Sequence, residues 1–326
     1  MELNKDHVLC SGTSKFRISQ RMRSVMCLVG QAVVYESGSE LIAELMGLQV
    51  GSSQLQRVCV HYGNQIDPLI EANCEAVIPQ LSEPKEKATA TYVMMDGSMI
   101  FTTAHEWKEL KLGRIFNEAK VVPIQAKRKE VVESVYVGHL GSVDEFLPKL
   151  ERHLVSYKHK VILGDGAKWI WNWAEDNYPG AVQILDFYHA KEKLVLFARQ
   201  HFKVDEQRQQ WIKQQTDCLL DNGLGKVLDR LRACRCRTPE AKLARQKAMD
   251  YFSEHEDRMQ YKTYREKGWM IGSGPIEAAN RSVIQQRMKL SGQKWSISGA
   301  QAMTNLRCYK QGGHWQKIEQ LIDAAA

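Results

Sequence analysis

The chain has 326 residues, 44% hydrophobic and 25% charged, the composition of an ordinary globular protein with one large domain or two to three smaller ones. A net charge of +7 and a pI near 8.9 are a moderate bias, compatible with a polyanionic partner. The eight cysteines form no CxxC pair, only Cys234-x-Cys236, which favours free thiols in a reducing compartment over a disulfide framework or a zinc knuckle.

Residues 1–20 are polar and irregular. No signal peptide opens the sequence, and the best apolar run, Val25 to Tyr35, is too short for a membrane span and contains Gln31. A cytoplasmic, nucleoid-associated bacterial protein is expected. Glu40 to Met46 reads as a short amphipathic helix. After Gly47-Leu-Gln-Val-Gly51, Ser53 to Tyr62 reads as a second helix with Ser52 or Ser53 as its N-cap. This is a helix-turn-helix pattern, with Gln54, Gln56 and Arg57 of the type that reaches base edges; an ordinary αα-hairpin has the same signature. Ser82-Glu-Pro-Lys-Glu-Lys87 is the candidate linker, dividing a helical region 1–84 from a domain 85–326.

Beyond the linker the pattern switches to strand. Ala88 to Met95 ends on Asp96-Gly97, a turn pair, and Met99 to Thr103 reads as the returning strand. Lys111 to Phe116 and Glu130 to Val137 continue the meander, and a helix is predicted over Val143 to Ser156. Val161-Ile-Leu163 looks like a strand buried on both faces, stopping on Gly164-Asp165-Gly166. Asp165 there is either a turn aspartate capping the helix that follows, Ala167 to Asn177, or a site residue at a strand's carboxyl end. Trp169 and Trp173 share one face of that helix, predicted to meet the core. Ala181 to Leu185 is a further strand, ending on Asp186. From His189 to about Lys267 the pattern is helical, and Trp211 and Trp269 in or beside this block are candidates for stacking on an unpaired base. Ile271-Gly-Ser-Gly-Pro-Ile-Glu277 then leads into a helix with Pro275 near its first turn. Residues 271–317 carry Arg281, Arg287, Lys289, Lys294, Arg307, Lys310 and Lys317 against a single acid, Glu277.

Two strand-borne aspartates and one helix-borne glutamate, Asp96, Asp165 and Glu277, suit oxygen ligation of Mg²⁺ or Mn²⁺. Two such ions about 3.5–4 Å apart would activate the attacking oxygen and stabilise the leaving oxygen of a phosphodiester. These acids, in "YVMMDG", "ILGDGAKWIW" and "IGSGPIEAANR", resemble the DDE triad of insertion-sequence transposases with an RNase H-like core. The ISKra4 family is the match that can be named, with the Mutator-like, IS256 and ISL3 transposases more distant. Asp186-Phe-Tyr-His189 is similar to the C/D-x-x-H signature that follows the second aspartate, and the helical block of about 190–268 to the all-α insertion before the glutamate.

The resemblance covers roughly residues 85–315 and implies an α/β fold: an RNase H-like mixed sheet with an all-α insertion, preceded by a helix-turn-helix-like region. It implies two Mg²⁺ (or Mn²⁺) ions on Asp96, Asp165 and Glu277. His189 would stand beside the active site, with Asp186 orienting its imidazole; a satisfied, half-buried histidine is the bland reading. Arg281, Arg287, Lys289 and Lys294 would position double-stranded DNA through its phosphates, or simply form a solvated basic face. The implied activity is DNA cleavage followed by 3′-OH strand transfer between element ends and target, by a homodimer or larger assembly. An RNase H-like nuclease without strand transfer, and a catalytically idle DNA-binding descendant, share the same motifs. Such transposases carry a longer N-terminal region than the 95 residues before Asp96, which points to a truncated copy.

Overall fold

Three helices lead the computed structural model, which describes residues 16, 18–72, 74–82, 89–125 and 128–324. They are α1 (Gln20–Ala32), α2 (Tyr35–Met46) and α3 (Ser52–Glu71). The apolar run near Val25 is thus part of a helix that buries Met22, Met26 and Cys27. The two predicted helices correspond to α2 and α3, both longer than their amphipathic signal. Gly51 is the N-cap of α3 and no side chain caps it, so neither Ser52 nor Ser53 does so. Leu55, Val58, Cys59, Tyr62, Ile66 and Ile70 recur at helical spacing and form the buried stripe of α3.

The strands are β1 (Thr91–Phe101), β2 (Trp107–Asn117), β3 (Val121–Gln125), β4 (Arg128–Val131), β5 (Val135–Leu140), β6 (Lys160–Gly164) and β7 (Val182–Leu185). Five form one mixed sheet of order β5-β2-β1-β6-β7, while β3 and β4 make a separate hairpin. β2 and β5 pair antiparallel, with Leu112 opposite Gly138, and β6 and β7 pair parallel, with Leu163 opposite Ile184. This is the α/β class with a mixed sheet that the sequence implied. β6 is an apolar run buried through Val161, Ile162 and Leu163, as an interior parallel strand requires.

Asp96-Gly97 is not a turn. β1 runs through it, and the chain reverses over residues 102–106, where the Thr102 N–H donates to the Glu106 carbonyl and His105 adopts φ 60°. A Cβ at position 97 would stand 2.1 Å from Oε1 of Glu109 on β2, a side chain that would have to swing aside. The predicted strand Glu130 to Val137 is likewise broken, between β4 and β5.

The remaining helices are α4 (Val143–Arg152), α5 (Lys168–Asn177), α6 (Phe187–His201), α7 (Asp205–Leu220), α8 (Leu224–Ala233), α9 (Pro239–Glu254), α10 (Tyr261–Glu266), α11 (Gly274–Ala279), α12 (Gln286–Met288), α13 (Ile297–Gln311) and α14 (Trp315–Ala324). A π-helical segment, Asn280–Gln285, joins α11 to α12. α6 to α10 are the helical block the polar pattern predicted. On α5 the core face carries Ile170, Trp171, Trp173 and Ala174, so Trp171 rather than Trp169 pairs with Trp173 inside. Trp211 packs against Phe197 and Phe202, and Trp269 against Tyr264.

By compactness the chain divides into two units. The first takes in the described residues up to Thr91, Met95–Lys158 and those from Ile276 onward; the second takes in Tyr92–Met94 and His159–Pro275. Most of the predicted linker, residues 83–87, lies outside the described residues. In the first unit α13 is buried along nearly its whole length; Asn305 Nδ2 donates to the Gly63 carbonyl at 2.9 Å, fastening it to α3. In the second, α6 packs against α7 and α9 through Leu194, Phe197 and Phe252. Among the described residues no helix is long and apolar enough to cross a membrane, and the seven described cysteines are free thiols.

Candidate active site

In the first unit, half-buried Asp96 projects from the middle of β1. Its Oδ1 accepts the Gly97 N–H at 2.7 Å, and its Oδ2 accepts the side-chain amide of Asn280. Asn280 follows Glu277 by three residues, so the bond ties β1 to the helical segment that presents Glu277. Glu277 itself is exposed in the first turns of α11, and Pro275 sits beside the helix start, where its missing N–H costs little. The π-helical turn directly after it is an irregularity that recurs at functional sites.

The predicted DNA contacts separate into two kinds. Arg281, Lys289 and Lys294 are exposed, with Lys289 Nζ 3.5 Å from Ser98 Oγ and Lys294 over the Phe101 ring. Gln56 and Arg57 are exposed on α3 and line a cavity of about 620 Å³; Gln54 is half-buried. Arg287, by contrast, is 1% exposed, so the structure removes it from the basic face. Arg307, 3% exposed, is interior too. Charge in a sequence marks the surface only when nothing packs around it, and the aromatic rings of Tyr35 and Trp295 pack around Arg287.

In the second unit, Asp165 follows β6 directly. Its Oδ1 accepts the Ala167 N–H at 3.0 Å, an Asx turn, while the N-cap of α5 is Ala167 without a side-chain cap. Gly166 has φ +100°, and a Cβ there would meet the Tyr251 ring and hydroxyl at 2.8 Å. That hydroxyl donates to the Asp165 carbonyl at 2.7 Å.

Asp186 is fully buried and caps α6, its Oδ1 accepting the His189 N–H at 2.7 Å and its Oδ2 the Ser273 N–H. Burial opposes its charge, but hydrogen bonds from His189 and Ser273 outweigh it and hold the carboxyl below its ordinary value. His189 Nδ1 lies 3.3 Å from Asp186 Oδ1, within ion-pair range but off the line of a good hydrogen bond. Asp186 raises the imidazole's pKa against the opposing effect of burial, with Asp165 and Glu192 adding to the rise.

Asp96 and Glu277 therefore belong to the first unit, and Asp165, Asp186 and His189 to the second. Among the described residues no group of three or more His, Cys, Asp or Glu is gathered to hold a metal ion. Sequence reasoning passed over Asn280, Ser273 and Tyr251. Asn280 had a signal, its i+3 spacing from Glu277; Tyr251, remote in sequence from Asp165, had none.

Residues 117–321 match the model of the Uncharacterised protein family (UPF0236). The chain belongs to that family. The UPF0236 match spans Asp165, Asp186, His189 and Glu277, and begins after Asp96. Among solved structures the chain is similar to the Drosophila P element transposase strand transfer complex, at 11% identity and a TM-score of 0.40, covering 95% of this chain and 96% of that one. No curated protein matches it.

Proposed function

We propose that the chain is a DDE-type DNA transposase of the ISKra4 kind, with Asp96, Asp165 and Glu277 as its catalytic carboxylates. Its family is one of transposase-like proteins. The observation that carries the reading is the hydrogen bond from Asn280 to Asp96, which couples the first acid to the segment presenting the third. The donor set, three carboxylates, suits hard divalent cations. Two bound Mg²⁺ or Mn²⁺ ions would activate the attacking oxygen and stabilise the leaving oxygen.

The chain's own residues do the positioning. Asn280 and the Gly97 N–H orient the Asp96 carboxylate, each leaving lone pairs on the oxygen it contacts. The Asx turn fixes the Asp165 carboxylate at the end of β6. His189, whose pKa Asp186 raises, would offer a ring N–H to a scissile phosphate. Lys289, Lys294 and Arg281 would hold the backbone without reading its sequence.

The test is cleavage and joining of labelled duplex carrying element ends, with Mg²⁺ or Mn²⁺. Asp96→Asn, Asp165→Asn and Glu277→Gln should each abolish cleavage and leave DNA binding nearly intact. Cleavage retained in any of them removes that residue from the site. Hydrolysis without joining of the 3′-OH end to plasmid DNA would replace transposase with nuclease.

A further inference from the structure

Arg287 enters the interior of the first unit without an acid. Its Nε donates to the Gly30 carbonyl at 3.1 Å, and the guanidinium lies between the rings of Tyr35 and Trp295, 4.9 and 5.2 Å from their centroids. Nη1 and Nη2 are both buried and meet no protein acceptor, and neither does the buried Tyr35 hydroxyl. Arg307 is a second interior guanidinium, near enough to feel the first: burial, then Arg287, draws its pKa down to about 10. Its own donors go to neutral oxygens of Val283, Gln31 and Ser282. Two buried positive charges thus share a region whose protein contacts are neutral, an arrangement that an anion would compensate.

Arg287 and Tyr35 also line a cavity of about 230 Å³, together with Lys294, Thr103, Ser296 and Gln56. Ser296 is the N-cap of α13, a helix of 15 residues; its Oγ accepts the Gly299 N–H at 3.1 Å, and both residues line the cavity. Helix N-termini favour anions through their partial positive charge and free N–H groups. A guanidinium, a hydroxyl, an ammonium and a helix start therefore border one cavity. That number of groups suits a tetrahedral phosphate better than a planar carboxylate. The cavity is not isolated: Gln56 of α3 also lines the neighbouring cavities of about 620 and 270 Å³, the first bordered by Arg57.

We propose that Arg287, Tyr35 and Lys294, with the first turn of α13, form a phosphate-binding pocket. Its occupant is a backbone phosphate of DNA lying along α3, an assignment that rests on the function proposed above; inorganic phosphate shares the chemistry. Arg287 thereby keeps a part in anion recognition, from within a pocket rather than from an exposed face.

The full chain, without divalent metal, is titrated at low ionic strength with sodium phosphate and, separately, with labelled duplex DNA. Tyr35→Phe removes one unpaired donor at constant shape, and exposed Lys294→Ala leaves the fold undisturbed. Circular dichroism accompanies each variant, including Arg287→Lys. Phosphate should raise the melting temperature where chloride of equal ionic strength does not, and Tyr35→Phe and Lys294→Ala should each weaken phosphate binding by about tenfold. A phosphate response no larger than chloride's, or wild-type affinity in both folded variants, overturns the pocket. Parallel weakening of duplex binding, with phosphate as competitor, assigns the site to the DNA backbone. Weakened phosphate binding with unchanged duplex binding assigns it to free phosphate and overturns the DNA occupant. Because metal is absent throughout, failure of the cleavage reading leaves this result legible.

Discussion

Asn280 donates its side-chain amide to Oδ2 of Asp96, although 184 residues separate them. With the Gly97 N–H on Oδ1, both oxygens of one carboxylate are held. Two features far apart in the sequence, the Asp-Gly pair in β1 and the start of the Glu277 helix, are thus joined by a hydrogen bond. The buried Asn280 Oδ1, which meets no protein donor, shows that the amide is committed to Asp96 through its N–H.

Asn280→Ala should lower metal-dependent cleavage by about 10–100-fold, the usual effect of removing a group that orients a ligand carboxylate. Folding should survive, as read by circular dichroism and melting. Asn280→Asp places a second negative charge against Asp96 and should do at least as much harm. Wild-type rates in both variants would detach this bond from catalysis.

The seam between α3 and α13 sets a stability prediction. A Cβ on Gly63 would stand 2.4 Å from the Ala302 carbonyl oxygen and 2.7 Å from its Cα, all backbone that cannot swing aside. Gly63→Ala should therefore cost about 3 kcal/mol, seen in urea as a lower midpoint at unchanged slope. Gly225, in the first turn of α8, meets nothing within 4 Å, and Gly225→Ala should stabilise by about 0.5 kcal/mol.

The Asp186–His189 pair gives stability a pH signature with a definite sign. His189 is raised above its ordinary 6.5, so its contribution is full below that value and disappears as pH climbs through the raised one. Asp186 is lowered from 3.8, so its contribution is present above that value and is lost as pH falls through the lowered one. The pair is strongest between the two. The difference in melting temperature between wild type and His189→Gln should be largest between pH 3.8 and 6.5 and shrink at alkaline pH. A constant difference from acid to alkali would contradict the ion pair.

What was legible in the sequence was what local periodicity or local chemistry decides. The helices α2 and α3, the glycine-bounded apolar run of β6 and the helical block all obey short-range rules. What was not legible depends on partners far along the chain. Asp-Gly reads as a turn until β1 is seen to run straight through it. Arg287 reads as surface until Tyr35 and Trp295 are folded around it. For α5, the helix was found but its rotation was not, because three alternating tryptophans leave the buried arc ambiguous between Trp169 and Trp171. The sequence named three candidate acids; the hydrogen bonds that orient two of them came only with the fold.

The Gly-Asp-Gly turn after β6 offers the sharpest remaining test. Gly166 is constrained twice, by φ +100° and by Tyr251, whose hydroxyl grips the Asp165 carbonyl. Burial, reinforced by the charges of Asp165, Asp186 and Glu192, raises the Tyr251 pKa, so the hydroxyl remains a neutral donor across the ordinary pH range. Gly166→Ala should cost about 2–3 kcal/mol, combining backbone strain with displacement of the ring. Tyr251→Phe should cost about 1 kcal/mol by losing one hydrogen bond. Tyr251→Ala opens the space a methyl needs, so Gly166→Ala should be less harmful in that background than in wild type. Strict additivity in urea unfolding would mean that the φ constraint alone explains the glycine. A less-than-additive double variant would instead assign Tyr251 the role of clamp on the turn that carries Asp165.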